Sequence, residues 1–136
     1  FDTVMYIDVV EHIADDRGEL ARAVTHLRPG GRLVVLAPAF NFLFSPFDAA
    51  IGHYRRYDAR SLTALAPPGC TVERRFYLDS VGFLASAANR FLMRQAMPTR
   101  RQIAVWDRLM VPLSRWLDPL VGRWLGKSIV VIWRKT

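Results

Sequence analysis

The chain is poor in several things that would narrow its use. It holds one cysteine, Cys70, in 136 residues, so no internal disulfide can form, which fits a reducing compartment or a fold without need of bridges. Cys70 sits in a β-prone stretch and reads as a small apolar residue. Uncharged apolar runs of roughly eighteen residues are absent, and no transmembrane span is expected. No secretory signal is visible; the sequence enters at Phe1 almost directly on a strand, which reads as a chain cut inside a domain. There is no Gly-x-Gly, so these residues carry no glycine-rich nucleotide cradle. Acids are scarce late in the chain: residues 80–136 hold Asp107 and Asp118 against ten Arg or Lys, a balance of +8, while residues 1–79 balance at −1. The net charge of +7 thus belongs to the tail and to what surrounds it. Apolar residues are plentiful at 51%, ample for the core of one domain.

The opening run, Phe1 to Ile7, is an apolar strand leading into Asp8, Glu11 and His12. Asp16-Arg17-Gly18-Glu19 then has capping-box spacing with Asp16 as the N-cap. Leu20, Val24 and Leu27 follow at helical intervals, and Pro29-Gly30-Gly31 should stop that helix at Leu27 or Arg28. Arg32 to Pro38 is a short unbroken apolar run, as a strand covered on both faces would be. Strand, helix and strand make a βαβ unit, so the class is α/β with a parallel sheet. Ligands bind beyond the carboxyl ends of such strands, which places the chemistry at Tyr6 to His12.

Residues 38–58 form a long loop with four phenylalanines, ending in His53-Tyr54-Arg55-Arg56-Tyr57; loops in that position build substrate pockets. Asp58 should cap a short helix through Ala66, with Tyr57 and Leu62 as a hydrophobic staple. Cys70 to Tyr77 reads as a third strand and Ser80 to Gln95 as a helix. A break is expected at Met97 to Arg101. Gln102 to Leu125 is helical in period, with Trp106, Leu109, Met110, Leu113, Trp116, Leu117, Leu120 and Trp124 on one face and Asp107, Arg108, Ser114, Arg115 and Asp118 opposite. Pro112 and Pro119 should kink it. Ser128 to Trp133 is a closing strand.

Phe1-Asp2-x-Val4 with Asp8-Val9-Val10-Glu11-His12-Ile13, followed by Leu27-Arg28-Pro29-Gly30-Gly31, resembles the second half of class I S-adenosylmethionine-dependent methyltransferases, in the small-molecule branch. The resemblance implies a Rossmann-like sheet truncated to its last four strands, the final one antiparallel. Residues 1–136 would be the C-terminal portion of one domain, with residues 79–126 a helical insert before that strand. It also implies S-adenosylmethionine as cofactor, with Tyr6, Ile7 and Asp8 flanking its methionine portion, although the glycine-rich loop and the ribose-binding acid would lie upstream. The fragment alone should then be inactive.

Methyl transfer is an in-line displacement, so alignment is the main task, and a base serves where the acceptor sheds a proton. Asp8, Glu11 and His12 are the candidates for facing the reaction. The plainer reading is that Glu11 and His12 fix the loop by hydrogen bonds. Some relatives hold magnesium on an acid-x-x-Glu-His run, but Asp8 shortens the reach and no metal is expected here. His53, Arg55, Arg56 and Tyr57 are the candidates for meeting a small or lipid-linked acceptor, since guanidinium suits phosphate or carboxylate; the alternative is an exposed basic loop. The basic, Trp-bearing insert suits packing on the core, a homodimer, or a membrane surface, with nucleic acid disfavoured. The protein is accordingly expected in the cytoplasm, able to rest on the inner face of a membrane through residues 80–125. Rival readings are a nicotinamide-dependent oxidoreductase half and a non-catalytic membrane- or partner-binding module.

Overall fold

In the computed structural model, which describes residues 1–93, 99–121 and 124–136, all four apolar runs join one sheet. β1 (Thr3–Ile7), β2 (Arg32–Pro38), β3 (Cys70–Leu78) and β4 (Ser128–Lys135) lie in the order β1-β2-β4-β3. β1 and β2 are parallel, Thr3 facing Arg32 and Ile7 facing Leu36. β4 enters between β2 and β3 and runs antiparallel to both. The carboxyl ends of β1, β2 and β3 therefore gather on one side, where such a sheet receives ligands.

Helix α1 (Asp16–Thr25) carries the chain from β1 to β2. Its N-cap is Asp15, whose Oδ1 accepts from the Gly18 amide at 2.9 Å, and not Asp16 as the spacing suggested. Asp16 is instead turned inward, where Arg55 and Tyr57 donate to it. α1 also stops earlier than expected, because Lys135 at the end of β4 donates to the carbonyls of Val24 and Leu27 and satisfies that terminus. Gly31 is needed in the next turn: a Cβ there would lie 2.9 Å from the Arg28 carbonyl and 3.1 Å from that of Asp2.

Leu20, Val24 and Leu27 of α1 share a core with Leu33, Val35 and Ala37 of β2 and Ile129, Val131 and Trp133 of β4. The alternate β2 residues, Val34 and Leu36, are only half-buried. β2 is thus fully covered on one face, where the sequence suggested two.

The long loop holds a 3₁₀ turn (Asn41–Leu43) and α2 (Pro46–Ala50). It is closed at its base, where Phe40 donates to the Tyr57 carbonyl and Tyr57 to that of Pro38. Asp58 caps α3 (Ala59–Thr63), accepting from Ser61 at 2.7 Å. α3 ends short of Ala66, because Leu65 and Ala66 bond back to Leu62 and Thr63 in tighter turns. Tyr57 and Leu62 are both in the core.

The insert consists of α4 (Ser80–Ala88), a π-turn (Asn89–Met93), α5 (Arg100–Val105), a second π-turn (Trp106–Met110) and α6 (Val111–Leu120). Met97 and Pro98 of the expected break lie outside the described residues, while Thr99 caps α5, so Arg100 and Arg101 are already helical. Pro112 stands just after the second π-turn, the wide turn accommodating its ring and missing N–H.

Within the insert, the two sides of α6 differ from the expected division. Ser114 and Asp118, assigned to the outer side, are buried. Asp118 accepts from the amides of Asp79 and Ser80, and Ser114 accepts from Val81 and donates to Asp79. These bonds satisfy the free amides that begin α4. Leu109, Leu113, Trp116 and Leu120 consequently face outward.

Candidate functional site

Three residues other than glycine hold left-handed backbone angles among those described: Asp8 (φ 51°), Phe40 (φ 61°) and Asp79 (φ 64°). Each follows the carboxyl end of one of the three co-directional strands. Such conformations cost about 1–3 kcal/mol each and persist where the surroundings impose them, often at functional sites.

Beyond the tip of β1 the chain makes a 3₁₀ turn, Val10–His12. The loop after β2 docks on it: Tyr54 donates to the Glu11 carbonyl at 2.8 Å, and His12 Nδ1 lies 3.2 Å from the Gly52 carbonyl. This docking sets His53 beside Glu11, with Nε2 3.7 Å from Oε1, and its ring 4.6 Å from that of His12.

Glu11 is fully buried, and neither carboxylate oxygen accepts a hydrogen bond from another residue among those described. The loop-fixing role considered for it is therefore carried by its backbone alone. Burial pushes its pKa up to about 7, with its own amide opposing and the charges of Asp8 and Asp48 adding to the rise. Asp8, at the strand tip, is also raised, by partial desolvation against the favourable charges of Lys127, His53 and His12.

His53 is oriented by Asp48, whose Oδ1 lies 2.9 Å from Nδ1. Asp48 is itself buried and held by both Nε and Nη2 of Arg56 and by the Ser45 amide and hydroxyl. Burial works against that carboxylate, but Arg56 and Ser45 keep its pKa low. Desolvation lowers the His53 pKa despite Asp48, favouring the neutral ring. A neutral His53 donating from Nδ1 to Asp48 presents its Nε2 lone pair to Glu11. His12 likewise faces a carbonyl with Nδ1, which must carry the proton, and leaves Nε2 free.

Ligand atoms of Glu11, His12 and His53 all lie within 4.8 Å of one another. The sequence reading names no metal, yet this set of two imidazoles and one orphaned carboxylate fits a divalent ion. Its nitrogen content suits iron or zinc, while magnesium or manganese would need more oxygen ligands. Asp48 behind His53 is the outer carboxylate that such sites use to fix an imidazole.

The other sequence candidates are engaged elsewhere. Tyr6 donates to Glu19 of α1 at 2.6 Å, which with burial pushes its pKa up to about 12; only its backbone is left for a ligand. Ile7 is half-exposed at the tip. Arg55 pairs with Asp16 at 2.6 Å and reaches the Ala14 carbonyl. Tyr57 is buried and donates to Asp16 at 2.8 Å. Arg56, far from an exposed basic loop, is buried with its fork filled by Asp48. Of the four acceptor candidates, only His53 joins Glu11 and His12.

On the far side of Arg56 lies a cavity of about 620 Å³ between the long loop and the insert. Leu43, Phe47, Ile103, Trp106 and Met110 give it an apolar lining, and Ser45, Arg56, Arg101, Asp107 and Lys127 are among its polar residues. Lys127 stacks over Trp106 at 3.7 Å from the ring centroid, and desolvation lowers its pKa.

No protein-family model and no curated protein matches the chain. Among solved structures it is similar to a SAM dependent methyltransferase from Archaeoglobus fulgidus, with a TM-score of 0.50 and 17% identity over 99% of this chain. The chain has a Rossmann-like fold of the kind seen in that methyltransferase. The chain spans 59% of the length of that methyltransferase. Asp8 and Glu11 follow directly on the carboxyl end of β1. Asp48 and Lys127 were not singled out from the sequence. Ser45-Pro46-Phe47-Asp48 could have been read as a helix cap, which would have found Asp48 without its second duty. Lys127 carries no sequence signal beyond preceding the last strand.

Proposed function

We propose that the protein serves S-adenosylmethionine-dependent methyl transfer to a small or lipid-linked acceptor whose nucleophile must shed a proton. The observation that carries this reading is the buried, unpartnered Glu11 carboxylate beside two imidazole nitrogens, at the carboxyl tips of a methyltransferase-fold sheet. Bound there, S-adenosylmethionine supplies an electrophilic methyl, and the protein's work is alignment and proton removal. Ile7 and Asp8, with the Tyr6 backbone, would border its methionine end. Glu11, whose pKa burial pushes up to about 7, would accept the acceptor's proton. His53, held by Asp48, and His12 would relay that proton toward solvent. The apolar cavity would take the acceptor's tail, with Lys127 and Arg56 near any anionic group.

Calorimetric titration of the full-length protein with S-adenosylmethionine and, separately, with a nicotinamide dinucleotide tests this directly. Saturable binding of the sulfonium compound alone is expected. Binding of the dinucleotide in its place would transfer the site to hydride chemistry, and binding of neither would leave a non-catalytic module.

A further inference from the structure

The insert turns its least soluble side to the outside. Trp116 and Leu120 are 81% and 82% exposed, and Trp124 beyond α6 is 82% exposed. Leu109 and Leu113 continue the stripe along the same side. Monomeric proteins rarely leave so continuous an apolar strip open without a use for it. The strip cannot turn inward, since the opposite side of α6 is occupied by Ser114 and Asp118 in their bonds to the start of α4.

Its border is basic. Arg108 and Arg115 stand exposed seven residues apart, and Arg100 is exposed at the start of α5. Of the two acids in this half of the chain, Asp118 is buried, leaving Asp107 as the exposed one. Two copies meeting face to face would bring these arginines toward each other, whereas an anionic lipid surface would neutralise them. Exposed indoles with a rim of arginine match an element lying in the interface plane, rings at headgroup depth and guanidinium groups on phosphate. No helix among the described residues is long or apolar enough to cross a membrane.

We infer that the outer face of α6, with Trp124 and the arginines beside it, docks the protein onto an anionic membrane surface. The inner side of the same insert walls the apolar cavity through Ile103, Trp106 and Met110. Docking would therefore set the cavity next to the bilayer, where a lipid-linked acceptor resides. This last step rests on the proposed function; the docking itself does not.

Flotation of the full-length protein with vesicles tests it, using phosphatidylcholine alone and phosphatidylcholine with about 30 mol% phosphatidylglycerol. The protein should float with the anionic vesicles, stay behind with neutral ones, and be released by molar salt. Trp116→Glu with Leu120→Glu, at fully solvated positions, should abolish flotation while circular dichroism is unchanged. Arg108→Glu with Arg115→Glu should weaken it roughly tenfold or more. Equal flotation with both vesicles, none with either, or indifference to both double variants would overturn the proposal. So would a lipid-free dimer that the Trp116 and Leu120 changes convert to monomer, which would assign the face to a second copy. S-adenosylmethionine binding is measured without lipid, so the two readings fail separately.

Discussion

Glu11 keeps a carboxylate sealed from water with nothing to bond, at a cost to stability of the kind that functional sites tolerate. Its pKa of about 7 stands above the roughly 4.3 of an unfolded glutamate, so the folded state holds that proton more tightly. The stability this confers is full below about pH 4 and is lost as pH rises through about 7. Glu11→Gln should therefore stabilise the fold, less at pH 5 than at pH 8, where the gain is on the order of 3 kcal/mol, while turnover falls. Calorimetric scans at the two pH values, beside methyl-transfer rates, measure both. Glu11 and His12 were legible because adjacent acid and imidazole at a strand tip form a local pattern. His53 was visible as a candidate, but its place beside them was not, because the docking of Gly52 and Tyr54 that sets it there is a contact across some forty residues. Arg55, Arg56 and Tyr57 looked free for an acceptor because sequence shows charge and ring, not the Asp16 and Asp48 that engage them.

Periodicity tells which residues of a helix share a face, not which face goes inward. In the insert the expected apolar stripe is split, with Trp106 and Met110 lining the cavity and Leu109, Leu113, Trp116 and Leu120 facing outward. What decides the direction is the start of α4, whose amides need acceptors, and Asp118 and Ser114 supply them four residues apart. Removing that carboxylate should loosen α4 before it disturbs the sheet. Asp118→Ala should cost about 1–2 kcal/mol, with faster hydrogen exchange at the amides of Asp79 and Ser80 and little change in β2 or β4. The misplaced cap of α1 has a similar origin. Asp15 and Asp16 are chemically equal, and only Tyr57 and Arg55 across the core select Asp16 for burial and leave Asp15 to the helix.

For the molecule as a whole, four strands and their class were readable, because each apolar run is bounded by Pro, Gly or charge, while the antiparallel direction of the last was implied only by the resemblance. The insertion of β4 between β2 and β3 was not foreseen, since adjacency in a sheet leaves little trace in one chain's pattern. The open flank of the sheet is β1, which pairs with β2 alone among the described strands and leaves Met5 and Ile7 exposed. The division between an interior and a greasy outside also has an optical side. Of the four tryptophans, Trp133 is wholly enclosed, Trp106 lies under an ammonium group, and Trp116 and Trp124 stand in water. Emission from the lipid-free protein should thus come from two populations, one red-shifted and one blue. Acrylamide should extinguish the red part first, giving a downward-curving Stern–Volmer plot that straightens on unfolding in urea.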